Sequence, residues 1–146
     1  IVYTEHEVDE ANGAISLNGE PFLVSNQKND DTTTITNKNN ETVTIKAKKE
    51  WTHTPLNKKV AINVDILNNS AVVATLELKQ DNNFELETTL PKYNEDGSEA
   101  VYTAHEQNEA NNNVNINGNP YSVTYTTNAN ETTITNKNEE KLNINV

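Results

Sequence analysis

The chain repeats itself, and the repeat sets the scale of what it can fold into. Shifted by 99 positions, residues 2–47 align without a gap on residues 101–146, and 22 of the 46 pairs are identical. VYTEHEVDEAN at Val2 to Asn12 returns as VYTAHEQNEAN at Val101 to Asn111, and TTITNKN at Thr33 to Asn39 returns at Thr132 to Asn138. Such a period far exceeds the roughly 20–45 residues of a solenoid unit and equals one small domain. It predicts domains strung head to tail. Residues 1–39 are then the C-terminal half of one module, 40–139 a complete module, and 140–146 the first strand of a third. Ile1 reads as an internal cut in a longer chain, because IVYTEHEVDE lacks the features of a signal peptide.

Composition restricts what each module can be built from. Only 33% of residues are hydrophobic and 5% aromatic, which predicts a thin, sheet-like core of Val, Ile, Leu and small residues. The 27 Asn and 19 Thr suit turns and exposed strands and disfavour helices. A net charge of -11, with all eleven basic residues Lys, argues against nucleic acid or an anionic membrane as partner. The chain has no Cys, so disulfides, thiolate metal sites and thiol nucleophiles are excluded. No apolar run approaches the roughly 20 residues of a membrane span.

Alternation marks the strands. In ETVTIKAKKEW, Val43, Ile45, Ala47, Lys49 and Trp51 share one face. In VAINVDIL, Val60, Ile62, Val64 and Ile66 point one way, and AVVATLELK and NFELETTL are expected to continue the meander. After the polar loop PKYNEDGSE, the segment VYTAHE puts Glu106 in register with Tyr102 and Ala104. VNIN, YSVTYT and TTITN follow, separated by turns such as Asn117-Gly118, and Ile134 and Asn136 share a face. No stretch has helical periodicity. The expectation is an all-β, immunoglobulin-like β-sandwich.

On that register the interior of the complete module holds a Lys on its first strand, a Glu on a middle strand and an Asn on its last. An unpaired buried Lys or Glu costs several kcal/mol, so such residues should be partners. Burial lowers the pKa of an amine and raises that of a carboxylic acid, which can leave a neutral amine beside a protonated acid. The amine is a nucleophile and the Asn amide its electrophile. The acid can polarise the amide carbonyl and pass a proton to departing ammonia. The product is a Lys–Asn isopeptide crosslink. A buried, hydrogen-bonded triad with no covalent bond is the competing reading.

At this point the sequence resembles the Cna B-type domains of Gram-positive surface adhesins and pilins. The resemblance covers residues 41–139 and is most specific in LPKYNEDGSEAVYTAHE at Leu90 to Glu106, supported by KKEW at Lys48 to Trp51 and TTITN at Thr132 to Asn136. It implies that Lys49 donates the amine, Asn136 supplies the amide and Glu106 is the catalytic acid. In the partial first module Glu7 and Asn37 match Glu106 and Asn136. THTPLNKK, after the Trp, is shorter and less acidic than the family pattern, and Ala104 stands for a larger apolar residue; neither change removes a reacting group.

The resemblance implies a stalk or spacer repeat of an extracellular, cell wall-anchored adhesin or pilus-like protein that hardens by crosslinking itself once, without enzymatic turnover or a cofactor. Adjacent repeats would be its partners. Residues 1–39 are expected either to lie unpaired or to be complemented by another chain. The alternative is an adhesin module that binds a host protein or glycan. His6, His53 and His105 lack metal-ligand spacing, and the loop from Asn94 to Glu99, although rich in oxygen, lacks an EF-hand ligand pattern. No metal site is expected.

Overall fold

The computed structural model describes residues 1–145. The chain divides into two compact units, Ile1–Val43 with Leu90–Ala100, and Thr44–Thr89 with the chain from Val101 on. The expected all-β class holds: among the described residues the regular elements are eleven strands and two single 3-10 turns, at Leu56–Lys58 and Gln80–Asn82.

In the first unit β1 (Ala14–Leu17), β2 (Glu20–Asn29) and β3 (Thr32–Asn39) form an antiparallel sheet in that order. Two-residue turns build it. Asn18-Gly19 and Asp30-Asp31 join the strands; Asn18, Gly19 and Asp30 have positive φ, as primed hairpin turns require. Ile15 is buried, whereas Leu17, Leu23 and Ile35 are 37–45% exposed. The loop Leu90–Ala100 folds on itself through a bridge between Tyr93 and Glu99 and bonds within Asn94 to Ser98, the pattern of a polar turn.

The second unit is a β-sandwich. β4 (Thr42–Thr52), β7 (Glu85–Pro91), β9 (Asn113–Ile116), β10 (Asn119–Asn128) and β11 (Glu131–Asn138) form one sheet in the order β7-β4-β11-β10-β9. β5 (Ile62–Asn68), β6 (Ala71–Leu78) and β8 (Tyr102–Glu106) form the other, in the order β6-β5-β8. The inward residues expected from alternation are the core: Ile45 and Ala47 on β4, Ile62, Val64 and Ile66 on β5, and Ile134 on β11 are all buried. Tyr121 and Phe84 each lie edge-on to Trp51, with centroids 5.6 and 5.9 Å away.

One expectation needs correction. β7 does not continue the β5-β6 meander but crosses to pair with β4 in the opposite sheet. The 3-10 turn at Gln80–Asn82, followed by left-handed Asn83 and Phe84 (φ 55° and 56°), redirects the chain, and the Phe84 carbonyl accepts the Lys49 N–H at 2.8 Å. Residues 140–145, expected to begin another strand, form none and leave Leu142 and Ile144 exposed. A strand needs a neighbour to satisfy its ladder, and none pairs with this segment among the described residues. Val146, the last residue of that expected strand, lies outside the described residues.

Candidate crosslinking site

β4 and β11 run parallel, in a register that opposes Ile134 to Lys49 and Asn136 to Trp51. Each of these pairs extends onto β10, where Ile134 faces Tyr125 and Asn136 faces Val123. In-register residues of a sheet share a face, so two inward rows form, Lys49–Ile134–Tyr125 and Trp51–Asn136–Val123. The amine and the amide therefore occupy neighbouring rows of adjacent strands. Glu106 reaches them from β8 in the other sheet. Lys49, Glu106 and Asn136 are 4%, 1% and 0% exposed.

The structure brings these three residues into contact. The Lys49 Nζ hydrogen-bonds and ion-pairs with Glu106 Oε1, while Asn136 Nδ2 donates to Glu106 Oε2 at 3.0 Å. One carboxylate thus holds both. Asn136 Oδ1 is buried without a hydrogen-bond partner among the described residues. A buried carbonyl oxygen left unpaired costs about 1–3 kcal/mol, and rotating the amide by half a turn would present that oxygen to Glu106, which can donate to it once protonated. Burial lowers the Lys49 pKa from 10.5 to about 8, against the opposing charge and hydrogen bond of Glu106. The ammonium also lies 4.9 Å from the Trp51 ring centroid.

The corresponding pair in the first unit is also formed. Asn37 Nδ2 donates to Glu7 Oε2 at 3.0 Å, and Glu7 Oε1 is buried without a hydrogen-bond partner among the described residues. Asn37 itself is exposed. His6 and His105 each lie beside the Glu four residues on, at 3.4 Å from Glu10 and 3.6 Å from Glu109.

Sequence reasoning missed Tyr125 and Glu109. Alternation with Tyr121 and Val123 puts Tyr125 on the inward face, but nothing in the pattern reveals what its hydroxyl reaches. That hydroxyl accepts the Glu106 backbone N–H at 3.0 Å and donates to Glu109 Oε1 at 2.8 Å. Its pKa is raised, chiefly by burial.

Known proteins match this architecture. The family model of the Cna protein B-type domain matches residues 45–137. Among solved structures, the chain is similar to a single B repeat unit (B1) of the collagen binding surface protein Cna of Staphylococcus aureus, with TM-score 0.52 and 21% identity over 81% of this chain and 63% of that one. A two-repeat structure (B1B2) of the same protein gives 0.51 and 26%, over 90% of this chain and 31% of that one. The pilus adhesin SpaC of Lactobacillus rhamnosus GG gives 0.50 and 19%, over 85% and 16%. The chain thus spans less than two thirds of the length of each of these structures. No curated protein matches it. No helix among the described residues is long and apolar enough to cross a membrane. The sandwich and the match over residues 45–137 establish that the chain belongs to the Cna protein B-type domain family.

Proposed function

We propose that residues 40–139 are a structural module of a surface-displayed, cell wall-anchored stalk, closed by an amide bond that Lys49 and Asn136 form with each other. One observation carries this reading: an amine, an acid and a carboxamide meet in a closed core, with the acid touching both reactants.

A proton passes from the Lys49 ammonium to Glu106, leaving a neutral amine and a carboxylic acid. The Nζ lone pair attacks Cγ of Asn136 while Glu106 hydrogen-bonds the carbonyl oxygen and stabilises its developing charge. The proton shed by Nζ moves through Glu106 to Nδ2, the Cγ–Nδ2 bond breaks, and ammonia departs. One C–N bond replaces another, no electron carrier is involved, and Glu106 is left as the carboxylic acid, holding the proton first taken from the ammonium. This is a single maturation event rather than enzymatic turnover.

Intact mass under denaturing conditions tests it. The crosslink removes one ammonia, about 17 Da, and that deficit should vanish in Lys49→Ala and Glu106→Ala. The full mass in the unsubstituted chain would leave an unreacted polar triad and sink the reading.

Residues 1–39 are then the acceptor half of a preceding module, with Glu7 and Asn37 ready for a Lys side chain supplied by an adjacent repeat or another chain. Residues 140–146 open the next module. Size-exclusion chromatography with light scattering tests the intermolecular route, and a strictly monomeric profile at high concentration excludes it. The names of the structural neighbours, a collagen binding surface protein and a pilus adhesin, favour a second reading in which the module binds a host protein or glycan. Adhesion that survives in Glu106→Ala would assign it to a surface separate from the triad.

A further inference from the structure

Glu106 is the last residue of β8, a five-residue strand at the edge of its sheet. Edge-strand ends are held by few ladder bonds and open locally at low cost. The register makes this end weaker still. Glu106 opposes Val64, and the adjacent ladder bond runs from the Gln107 N–H to the Asn63 carbonyl at 3.0 Å. That spacing identifies Glu106–Val64 as a non-hydrogen-bonded pair, so the Glu106 N–H points away from β5. Among the described residues it donates to the Tyr125 hydroxyl, at 3.0 Å.

Tyr125 is half-buried on β10, in the opposite sheet and in the same transverse row as Lys49. Its hydrogen bond therefore spans the two layers at the point where the acid must meet the amine. The phenol has one proton, and that proton is committed to Glu109 Oε1 at 2.8 Å, so toward Glu106 the oxygen can only accept. Donating to a carboxylate also makes the oxygen a stronger acceptor. Glu109 is held in turn: its Oε2 accepts the Asn112 N–H at 3.2 Å, and His105, stacked on the Tyr125 ring at 6.3 Å, lies 3.6 Å from Oε1. In the first unit the loop is similar, with Glu10 accepting the Gly13 N–H at 3.1 Å, but Asn26 occupies the position of Tyr125.

We propose that Tyr125 is a positioning residue for crosslinking, anchoring the backbone of Glu106 across the sandwich so that its carboxyl spans Lys49 and Asn136, with Glu109 fixing the hydroxyl as an acceptor. This inference rests on the crosslink reading above. Tyr125 touches neither reacting side chain and acts through Glu106 alone. A merely structural hydrogen bond would stabilise the sandwich and leave the rate within folded molecules unchanged.

The test uses the full chain made by cell-free synthesis, quenched at intervals into acidic denaturant and weighed intact. Tyr125→Phe keeps the ring on His105 and removes only the hydroxyl; ammonia loss should become roughly tenfold slower. Glu109→Gln, whose amide oxygen can still accept the phenol proton, should keep most of the rate. The rate–pH profile supplies the discriminating readout. Contact with Glu106 opposes the lowering of the Lys49 pKa, so loosening it moves the limb governed by Lys49 to lower pH, whereas simple loss of folded protein lowers the rate equally at every pH. The folded fraction is measured separately by circular dichroism with Lys49→Ala also present. An unchanged rate in Tyr125→Phe, or a drop matching the loss of folded fraction at all pH values, overturns the positioning role. No ammonia loss from the unsubstituted chain overturns the crosslink itself and this inference with it.

Discussion

The sheet β1-β2-β3 and the sheet portion β9-β10-β11 are two versions of one structure. Ile15 opposes Phe22 as Val114 opposes Tyr121, and Val24 opposes Asn37 as Val123 opposes Asn136. The same loop bonds recur, such as Val24 N–H to Gly13 and Val123 N–H to Asn112, at 2.8 and 2.9 Å. Both copies form the Asn-to-Glu hydrogen bond at 3.0 Å. Their surroundings differ. Ile134 is fully buried and Ile35 is 40% exposed; Asn136 is buried and Asn37 is not. The second copy has β4 along its edge, and the sheet of β5 and β8 across its face. Tight turns and short-range pairing therefore create the acid–amide contact locally, whereas the closed environment that lowers the Lys49 pKa comes from strands distant in sequence.

On the crosslink proposal, Asn136→Ala leaves residues 40–139 without their amide link, as a counterpart of the first copy. Denaturant unfolding should show a loss of roughly 4–5 kcal/mol from the missing loop closure alone, and the deficit of about 17 Da should disappear. Paired truncations sharpen the contrast: Ile134→Ala should cost about 2–5 kcal/mol in the uncrosslinked background, and Ile35→Ala less than about 1 kcal/mol. Equal costs would mean that the two environments are energetically alike.

The pH dependence of Asn136→Ala is a subtler probe. Because the folded Lys49 pKa lies near 8 and the unfolded value at 10.5, the unfolded chain binds more protons between these limits, so stability should rise as pH goes from 8 to 10. Above pH 10 the raised Tyr125 pKa works the other way, since the folded state then retains the extra proton. Chemical denaturation across this range, repeated with Lys49→Met, should abolish the rise. The smallest effect belongs to Lys46→Ala, which breaks a half-exposed 3.7 Å pair with Glu85 and should change stability by less than about 0.5 kcal/mol.

Much of the site was legible because strand periodicity reports which face a residue occupies. Alternation alone put Lys49, Glu106 and Asn136 inside, and the self-alignment located Glu7 and Asn37. Periodicity does not say which strand lies next to which. The parallel pairing of β4 with β11 and the crossing of β7 depend on nonlocal packing and on left-handed Asn83 and Phe84, positions where Asn is common but Phe is not. Tyr125 illustrates the same limit: its inward direction was readable, but the edge of β8 that its hydroxyl meets belongs to the other sheet.

The parallel register of β4 and β11 governs how the module carries load. The chain enters along β4 and leaves along β11 in the same direction, so tension on the two ends shears one strand along the other. Were Lys49 joined to Asn136 as proposed, force would pass from one strand to the other through the new amide, and residues 50–135 would lie outside its path. That bypassed segment would otherwise pay out about 300 Å of extended chain, at roughly 3.4 Å per residue. So joined, the module would behave as a link of nearly constant length.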